Sequence, residues 1–187
     1  NLTWANKLRE AGARVIPGIA GLKVHSKLCL ITRRERGHKI YYGCIGTGNL
    51  HEKTARIYTD SMLFTSNQAI TKEARQIFSF FDKNYSVPKF SHLLVAPFNL
   101  RAKLYSLINR EIRNAKAGKP AEIFIKLNNL VDEDFIERLY TASKAGVKIR
   151  LIVRGICSLI PQQPIYSEHI EAISIVDRFL EHTRVFV

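Results

Sequence analysis

The sequence is short of acidic residues, of cysteine and of long apolar runs, and each shortage excludes a class of protein. No apolar stretch approaches the roughly 20 residues needed to cross a bilayer, so no membrane span is expected. The chain opens with Asn1-Leu2-Thr3-Trp4 instead of a charged start and an apolar stretch, so no signal peptide is visible. It lacks an initiator methionine and stops at Phe186-Val187 inside a predicted strand, so we expect an excerpt of a longer protein.

Cysteine is scarce, and its positions match no metal-binding spacing. The three cysteines are Cys29, Cys44 and Cys157, an odd number that leaves one thiol over in any disulfide scheme. All three lie in or beside apolar segments, which predicts buried thiols. Reduced, buried thiols are typical of a cytoplasmic protein.

Acidic residues are outnumbered by basic ones. The chain of 187 residues has 29 Lys and Arg against 16 Asp and Glu, a net charge of +13. A field of this sign attracts polyanions, so nucleic acid, anionic lipid and inorganic polyphosphate are all candidate partners on charge alone. A soluble protein with an incidental surplus of positive charge is the plain alternative. Hydrophobic residues make up 46% of the chain, enough for a sizeable core, which argues against wholesale disorder.

Alternating strand and helix patterns predict an α/β protein. In the first half we predict a helix ending at residue 11, strands at 14–16, 24–31, 39–45 and 57–64, and a helix at 67–81. In the second half we predict strands at 93–96, 122–127, 147–153, 173–176 and 183–187, a helix capped by Asn99, and a helix at 132–145. A polar connector containing Pro88 places a domain boundary near His92. The expected units are 1–92 and 93–187, each an incomplete mixed β-sheet flanked by helices.

Two histidines stand in matching contexts. His25 precedes Lys27 and His182 precedes Arg184, both at a His-x-basic spacing. If both segments are strands, residues i and i+2 face the same way, and each histidine shares a face with a cation. That pairing suits chemistry on a phosphate, with a nitrogen nucleophile or acid/base and a positive charge to hold the oxyanion. A core histidine with satisfied hydrogen bonds is the alternative for each.

A glycine loop follows the first histidine. Gly46-Thr47-Gly48-Asn49 can present backbone N–H groups to an anion, or it can be a tight turn after a strand. The His-x-Lys followed by Gly-Thr-Gly-Asn resembles the half-site of the phospholipase D superfamily, in which two halves meet over one phosphate. The superfamily's acidic position is held by Thr32, and the second half carries Arg184 instead of lysine. These departures count against phosphodiester hydrolysis.

Longer blocks resemble bacterial polyphosphate kinases more closely. They comprise His25-Ser26-Lys27 with residues 45–60, followed by residues 125–132, 153–161 and 177–182. The blocks occur in the family's order and cover nearly the whole chain. The resemblance implies two phospholipase D-like catalytic domains from the C-terminal part of the family's proteins, with the back part of the first domain and the front part of the second present here.

The resemblance also implies a reaction and its residues. ATP would donate its γ-phosphate to the end of a polyphosphate chain through a phosphohistidine, and the reverse reaction would make ATP from ADP. His25 matches the phosphorylated nucleophile, and His182 matches a second essential histidine that binds ATP and acts as an acid/base or orients the phosphate. Tyr58 and Arg154 match ATP contacts. Weaker candidates for phosphate contacts are Lys27, Asn49 and Arg56.

Elementary chemistry agrees with these roles. A neutral imidazole is a competent nucleophile near pH 7, and its ordinary pKa of about 6.5 permits acid/base work too. Phosphoryl transfer depends mainly on positioning and on neutralising spread negative charge, and Arg154 can grip a phosphate with two N–H groups. Tyr58 offers a flat ring for adenine, and strand alternation would place Arg56 on the same face. Without the resemblance, Arg154 could instead be a surface ion-pair partner, and Tyr58 could instead be a half-buried strand residue.

The resemblance implies Mg²⁺ together with ATP. No carboxylate pair here has an obvious ligand spacing, and the acids at 132–134 read as the first turn of a helix, where they favour the dipole. We therefore assign no metal ligands in this chain and expect them outside it. The expected partners are ATP or ADP and polyphosphate, not nucleic acid. We also expect a cytoplasmic homo-oligomer, with peripheral association at the inner face of the membrane left open.

Two other functions stay open on the sequence alone. A phospholipase D-like phosphodiesterase or phosphatidyltransferase would cleave phosphodiesters without ATP. A basic nucleic-acid-binding module would show an affinity that falls steeply with salt and does not depend on His25 or His182. The lack of aromatic residues within the basic stretches counts against the second alternative.

Overall fold

A computed structural model describes residues 2–187 and confirms the α/β class. The helices are α1 (Leu2–Glu10), α2 (Glu52–Ala55), α3 (Gln68–Asp82), α4 (Leu100–Lys116) and α5 (Glu133–Lys144). The strands are β1 (Lys27–Glu35), β2 (His38–Gly46), β3 (Tyr58–Thr59), β4 (Met62–Thr65), β5 (Glu122–Leu127), β6 (Lys148–Val153), β7 (Ile170–Ile173), β8 (Leu180–Glu181) and β9 (Val185–Phe186). None of the helices within these residues has the length and apolar character that a membrane span requires.

The N-terminal part is built on an antiparallel sheet in the order β1-β2-β4. The predicted hairpin is present, and its two-residue turn has positive φ at Arg36 (46°) and Gly37 (81°), the geometry that suits the twist of the two strands. Helix α3 covers one face. Its first residue, Gln68, exchanges hydrogen bonds with the backbone of Tyr41, and these bonds fix the position of the helix on β2.

The C-terminal part is built on a mixed sheet in the order β7-β6-β5-β9, with β9 antiparallel to β5 and the other pairs parallel. Helices α4 and α5 pack on this sheet. Asp132 begins α5 by accepting a hydrogen bond from the Phe135 N–H at 3.0 Å. The apolar residues of α5 recur at helical spacing and enter a core with alternating strand residues. The most deeply buried of these core residues are Leu139, Ala142, Val147, Ile149, Leu151 and Ile170.

A small sheet joins the two parts. Strand β3 pairs in parallel with β8, so that Tyr58 lies opposite Leu180 and Thr59 opposite Glu181. The Thr59 carbonyl accepts the N–H of His182 at 3.2 Å, and the Thr59 hydroxyl donates to the Glu181 carboxylate at 3.1 Å. Lys126 of β5 forms an ion pair with the same carboxylate. This pairing brings the residues that follow β3 beside the residues that follow β8.

Several predicted elements are wrong. Residues 14–16 and 93–96 are not strands. The predicted strand 57–64 is divided between β3 and β4, because the chain turns at 60–61 to leave one sheet and join another. The predicted strand at 173–176 is β7, which ends at Ile173. The predicted strand at 183–187 is reduced to β9, and β8 lies before it.

The predicted burial of the cysteines is also wrong. Cys29 and Cys157 are exposed and Cys44 is intermediate, and all three are free thiols. Cys29 lies opposite Cys44 on neighbouring strands. Leu28 faces the side chains of α3, so alternation along β1 turns Cys29 to the open face of the sheet. Cys157 lies in the loop after β6.

Asn99 stands at the N-terminus of α4 without capping it through its side chain. Its amide oxygen accepts the N–H of Val95 at 2.7 Å, and its amide nitrogen donates to the carbonyl groups of Leu93 and Phe90. The side chain therefore fastens the connector before the helix. This finding corrects the predicted cap.

Glu73 of α3 binds the same connector. Its buried carboxylate accepts the backbone N–H groups of Ser91, His92 and Leu93 at 2.8–3.1 Å, and it also meets Nδ1 of His92 at 3.1 Å. Burial alone would raise the pKa of Glu73, but these hydrogen bonds lower it to about 2. The connector between the two sheets is thus tied to α3 by an ionised carboxylate.

We expect Glu73→Gln to lower the free energy of unfolding by about 2 kcal/mol at pH 7, because an amide replaces the charged acceptor. The pKa of Glu73 is below its ordinary value of 4.5 in the folded state, so its contribution is present above pH 4.5 and is lost as the pH falls towards about 2. Urea unfolding at several pH values should show wild type and variant converging over this range. A difference that is the same at pH 7 and pH 3 would contradict the assignment.

Candidate active site

The first histidine and its cation meet just before β1. His25 is exposed in the extended segment that precedes the strand, and Lys27 is the first strand residue. Nζ of Lys27 is 3.2 Å from each ring nitrogen of His25 and donates to the His25 carbonyl at 2.7 Å. Strand alternation therefore does not pair them, because His25 lies outside the strand. The lysine side chain folds back onto the histidine instead.

Positive charge surrounds this imidazole. The pKa of His25 is lowered, first by the charge of Lys27, then by partial burial, and then by the charges of Arg184, Lys23 and His182. Two of these groups, Arg184 and His182, come from the end of the chain, so the second His-x-basic motif lies near the first. A lowered pKa keeps the His25 ring neutral and nucleophilic to lower pH.

The second histidine lies directly after β8 and is buried, with 6% of its surface exposed. Its Nδ1 is 2.7 Å from Oδ1 of Asp60, and its ring packs against Tyr58 with centroids 4.9 Å apart. An ionised carboxylate only accepts, so we assign the ring hydrogen to Nδ1. Nε2 is then the unprotonated ring nitrogen, which can accept a hydrogen bond or a proton. The guanidinium of Arg184 lies 3.4 Å from Nε2 and donates to the His182 carbonyl.

Asp60 is not among the residues predicted from the sequence. Its Oδ1 also accepts the hydroxyl of Thr47 at 2.8 Å. Burial would raise the pKa of Asp60, but the hydrogen bonds from His182 and Thr47 and the charges of His182 and Arg184 lower it overall. The sequence offered one signal, since Asp60 ends the block that begins with the glycine loop in a chain with few acidic residues.

The glycine loop packs on this carboxylate. A Cβ at Gly48 would lie 2.4 Å from Oδ2 of Asp60, so any larger residue would displace the acid. The N–H of Thr47 is taken by the Ser61 carbonyl at 3.0 Å. Close approach to Asp60 thus gives Gly48 a role apart from anion binding. Asn49, the next residue, is exposed beside it.

Arg154 enters from the other sheet. It follows β6, and its Nε donates to Oδ1 of Asn128, which follows β5, at 3.0 Å. The carboxyl ends of parallel strands share one sheet edge, a common place for ligand binding. The pKa of Arg184 is lowered, first by burial and then by the charge of Arg154, so the two guanidinium groups lie near each other.

Arg56 is placed differently from the prediction. It ends α2 and forms an exposed ion pair with Glu52 at 2.7 Å, so it does not alternate with Tyr58 along a strand. Two other histidines lie elsewhere. His92 contacts the Glu73 carboxylate, and His51 is exposed at the start of α2.

The site has few groups for a metal ion. Within residues 2–187, no group of three or more His, Cys, Asp or Glu side chains could hold one. Asp60 is engaged with His182 and Thr47, and Glu181 is engaged with Lys126. The residues present therefore do not fit a metal centre of their own. They offer an exposed imidazole, a buried imidazole paired with a carboxylate, and several cations, a set suited to moving a phosphoryl group.

Comparisons with known proteins agree with this chemistry. Residues 1–87 match the family model for polyphosphate kinase C-terminal domain 1, and residues 93–187 match that for polyphosphate kinase C-terminal domain 2. The polyphosphate kinases of Vibrio parahaemolyticus and Escherichia coli K12 are 56% and 51% identical to the chain over all 187 residues. The chain spans 27% of the length of each.

A solved structure shows the same fold. The crystal structure of polyphosphate kinase from Porphyromonas gingivalis aligns with a TM-score of 0.90 at 41% identity. The alignment covers 99% of this chain and 31% of that one. The chain therefore belongs to the polyphosphate kinase family.

Proposed function

We propose that the full-length protein transfers the γ-phosphate of ATP reversibly to the end of a polyphosphate chain, with His25 as the phosphorylated intermediate. The observation that carries the proposal is the convergence of two His-x-basic motifs, His25 with Lys27 and His182 with Arg184, on one basic site. We further propose that 1–92 and 93–187 are parts of two catalytic domains, each supplying one half of the site.

The first step uses the lone pair of a His25 ring nitrogen. It attacks the γ-phosphorus of ATP, a P–N bond forms, and the bond from phosphorus to the β,γ-bridging oxygen breaks, so that ADP leaves with the electron pair. In the second step a terminal oxygen of polyphosphate attacks the phosphohistidine. A P–O bond forms, the P–N bond breaks, and the electron pair returns to the ring nitrogen. The lowered pKa of His25 supports this role, because the attacking ring must be neutral.

In this proposal His182 acts on the phosphate oxygens, either as an acid/base or by orienting them. The hydrogen bond to Asp60 holds the hydrogen on Nδ1, so Nε2 exchanges a proton with the phosphate oxygens or orients them. Lys27, Arg184 and Arg154 stabilise the negative charge that spreads over the transferring group.

Tyr58 and Arg154 are the proposed ATP contacts, together with His182. Tyr58 is half-buried with one side of its ring against His182, and this contact supports a role for it in the proposed nucleotide site. Asn49 is a weaker phosphate contact. Arg56 is another, and it would first have to release Glu52.

Mg²⁺ is proposed to arrive with ATP. Residues 2–187 bring no three His, Cys, Asp or Glu side chains together as a metal site, so we expect its protein ligands elsewhere in the full-length protein. A cytoplasmic location, peripheral contact with the inner face of the membrane and a homo-oligomeric state are further parts of the proposal.

Incubation of the full-length protein with γ-labelled ATP should leave label bound in an acid-labile, base-stable form that chases into polyphosphate. We expect His25→Ala to abolish this label, because no other group replaces the nucleophile. His51→Ala is the matched control, since His51 is an exposed histidine outside the site, and it should label as wild type does. Retained label in His25→Ala, or cleavage of phosphodiesters without ATP, would overturn the proposal in favour of another activity.

Asp60→Asn should lower kcat by about 10²-fold or more, because the amide no longer fixes the hydrogen of His182 on Nδ1. Steady-state polyphosphate synthesis measures this effect. Thr47→Val removes the second hydrogen bond to Asp60 and the acceptor of the Ser61 N–H but leaves the bond between Asp60 and His182, so its loss of activity should be much smaller. Equal losses in the two variants would argue for a packing role of Asp60 instead.

Lys27→Gln should raise the pKa of His25, since the charge of Lys27 is the largest cause of its lowering. The midpoint of the His25 ring signals in an NMR pH titration should lie below 6.5 in wild type and move towards 6.5 in the variant. An unchanged midpoint would show that Lys27 does not set the protonation of His25.

A further inference from the structure

The loops after β5 and β6 are fastened together by two adjacent asparagines with different partners. Oδ1 of Asn129 accepts the backbone N–H of Ile156 at 3.0 Å, whereas Oδ1 of Asn128 accepts Nε of Arg154 at 3.0 Å. A Cβ at Gly155 would lie 2.3 Å from Oδ1 of Asn129 and 2.9 Å from the Asn128 carbonyl. The loops therefore approach as closely as glycine allows.

The hydrogen bond to Asn128 uses only Nε of the Arg154 guanidinium. Within residues 2–187, neither terminal nitrogen of Arg154 donates to a protein acceptor, so both keep their N–H groups for a ligand. A guanidinium that is held at Nε presents its terminal nitrogens as a fixed fork, which matches two oxygens of a phosphate.

The surroundings of this fork favour an anion. The charge of Arg154 contributes to the lowered pKa of Arg184, so two cations lie close enough to repel each other. Such a pair gains most from a ligand with several negative oxygens. Without the hydrogen bond at Nε, the Arg154 side chain could adopt another rotamer farther from Arg184, because arginine has many rotamers. That change would relieve the repulsion between the two guanidinium groups.

We infer that Asn128 is a positioning residue: it holds Arg154 by Nε so that the fork faces the terminal phosphates of a nucleoside triphosphate or an oligophosphate. This inference rests on the proposed function and deepens it, since it names the group that prepares one of its phosphate contacts. Asn129 has a different task, because its amide oxygen bonds only to the backbone and fixes the loop.

The test is a double-mutant cycle on binding, measured by calorimetry of the full-length protein with tripolyphosphate and, separately, ATP. We expect Asn128→Ala to weaken tripolyphosphate binding by about tenfold when Arg154 is present. In an Arg154→Ala background, the same substitution should change the affinity less than twofold, because Asn128 acts only through Arg154.

Asn129→Ala is the matched control. It should lower the melting temperature and leave the affinity of the folded protein within twofold of wild type. If Asn128→Ala unfolds too readily to be titrated, Asn128→Leu fills similar space without an acceptor and takes its place in the cycle.

Two results would overturn the inference in different ways. Independent, additive losses from Asn128→Ala and Arg154→Ala would refute the positioning role and leave the phosphate contact of Arg154 intact. An unchanged affinity in Arg154→Ala would refute the contact itself, and with it any action of Asn128 through that residue. The phosphoenzyme assay of His25→Ala is a separate measurement. Failure of the kinase proposal can therefore be distinguished from failure of this inference.

Discussion

The site depends on one pairing, that of β3 with β8 across the two parts of the chain. Each strand has only two residues, yet the pair sets Asp60 directly beside His182, residues that lie 122 positions apart. Thr59 reinforces the pairing through its carbonyl and hydroxyl groups, and Lys126 ties Glu181 back to the larger sheet. Without this pairing, the buried histidine would lose its carboxylate and the second cation would lose its place near His25.

The positive charges of the site favour the binding of an anion. Lys27, Arg154 and Arg184 come from separate segments, and the Asp60 carboxylate, whose charge acts on Lys27 and Arg184, is hydrogen-bonded to His182. The pKa of Lys27 is lowered, first by burial and then by Arg184, in the same direction as that of His25. A cluster that disfavours its own positive charge in this way is complementary to a polyanion. The same positive charges lower the pKa of His25, so one physical source favours both a bound polyanion and a neutral imidazole.

The elements that the sequence predicted well have strong local signals. The hairpin of β1 and β2, helices α3 and α5, and strands β5 and β6 each show a clear period bounded by a turn or cap, such as Asp132 before α5. Strand β8 and the division of the predicted strand 57–64 into β3 and β4 were beyond reach, because two residues carry no period and the pairing of β3 with β8 is long-range. Asp60 was missed for the same reason, since its role appears only once β8 lies beside it.

The paired histidines were found for a reason that is only partly right. Strand alternation was expected to join His25 with Lys27, yet His25 lies before the strand and the lysine side chain folds back onto it. The misjudged burial of Cys29 has a related cause, because a strand with an apolar run can still expose one face. Sequence pattern identified the chemical groups, whereas their geometry needed the fold.

The central claim is that the two motifs serve one phosphate with unequal roles, His25 as nucleophile and His182 as its partner. The most direct measurement is tandem mass spectrometry of the wild-type full-length protein, quenched in alkali during turnover with ATP and fragmented by electron transfer. The account predicts phosphate on His25 and none on His182. Phosphate on His182, or on neither histidine while polyphosphate is being made, would contradict it.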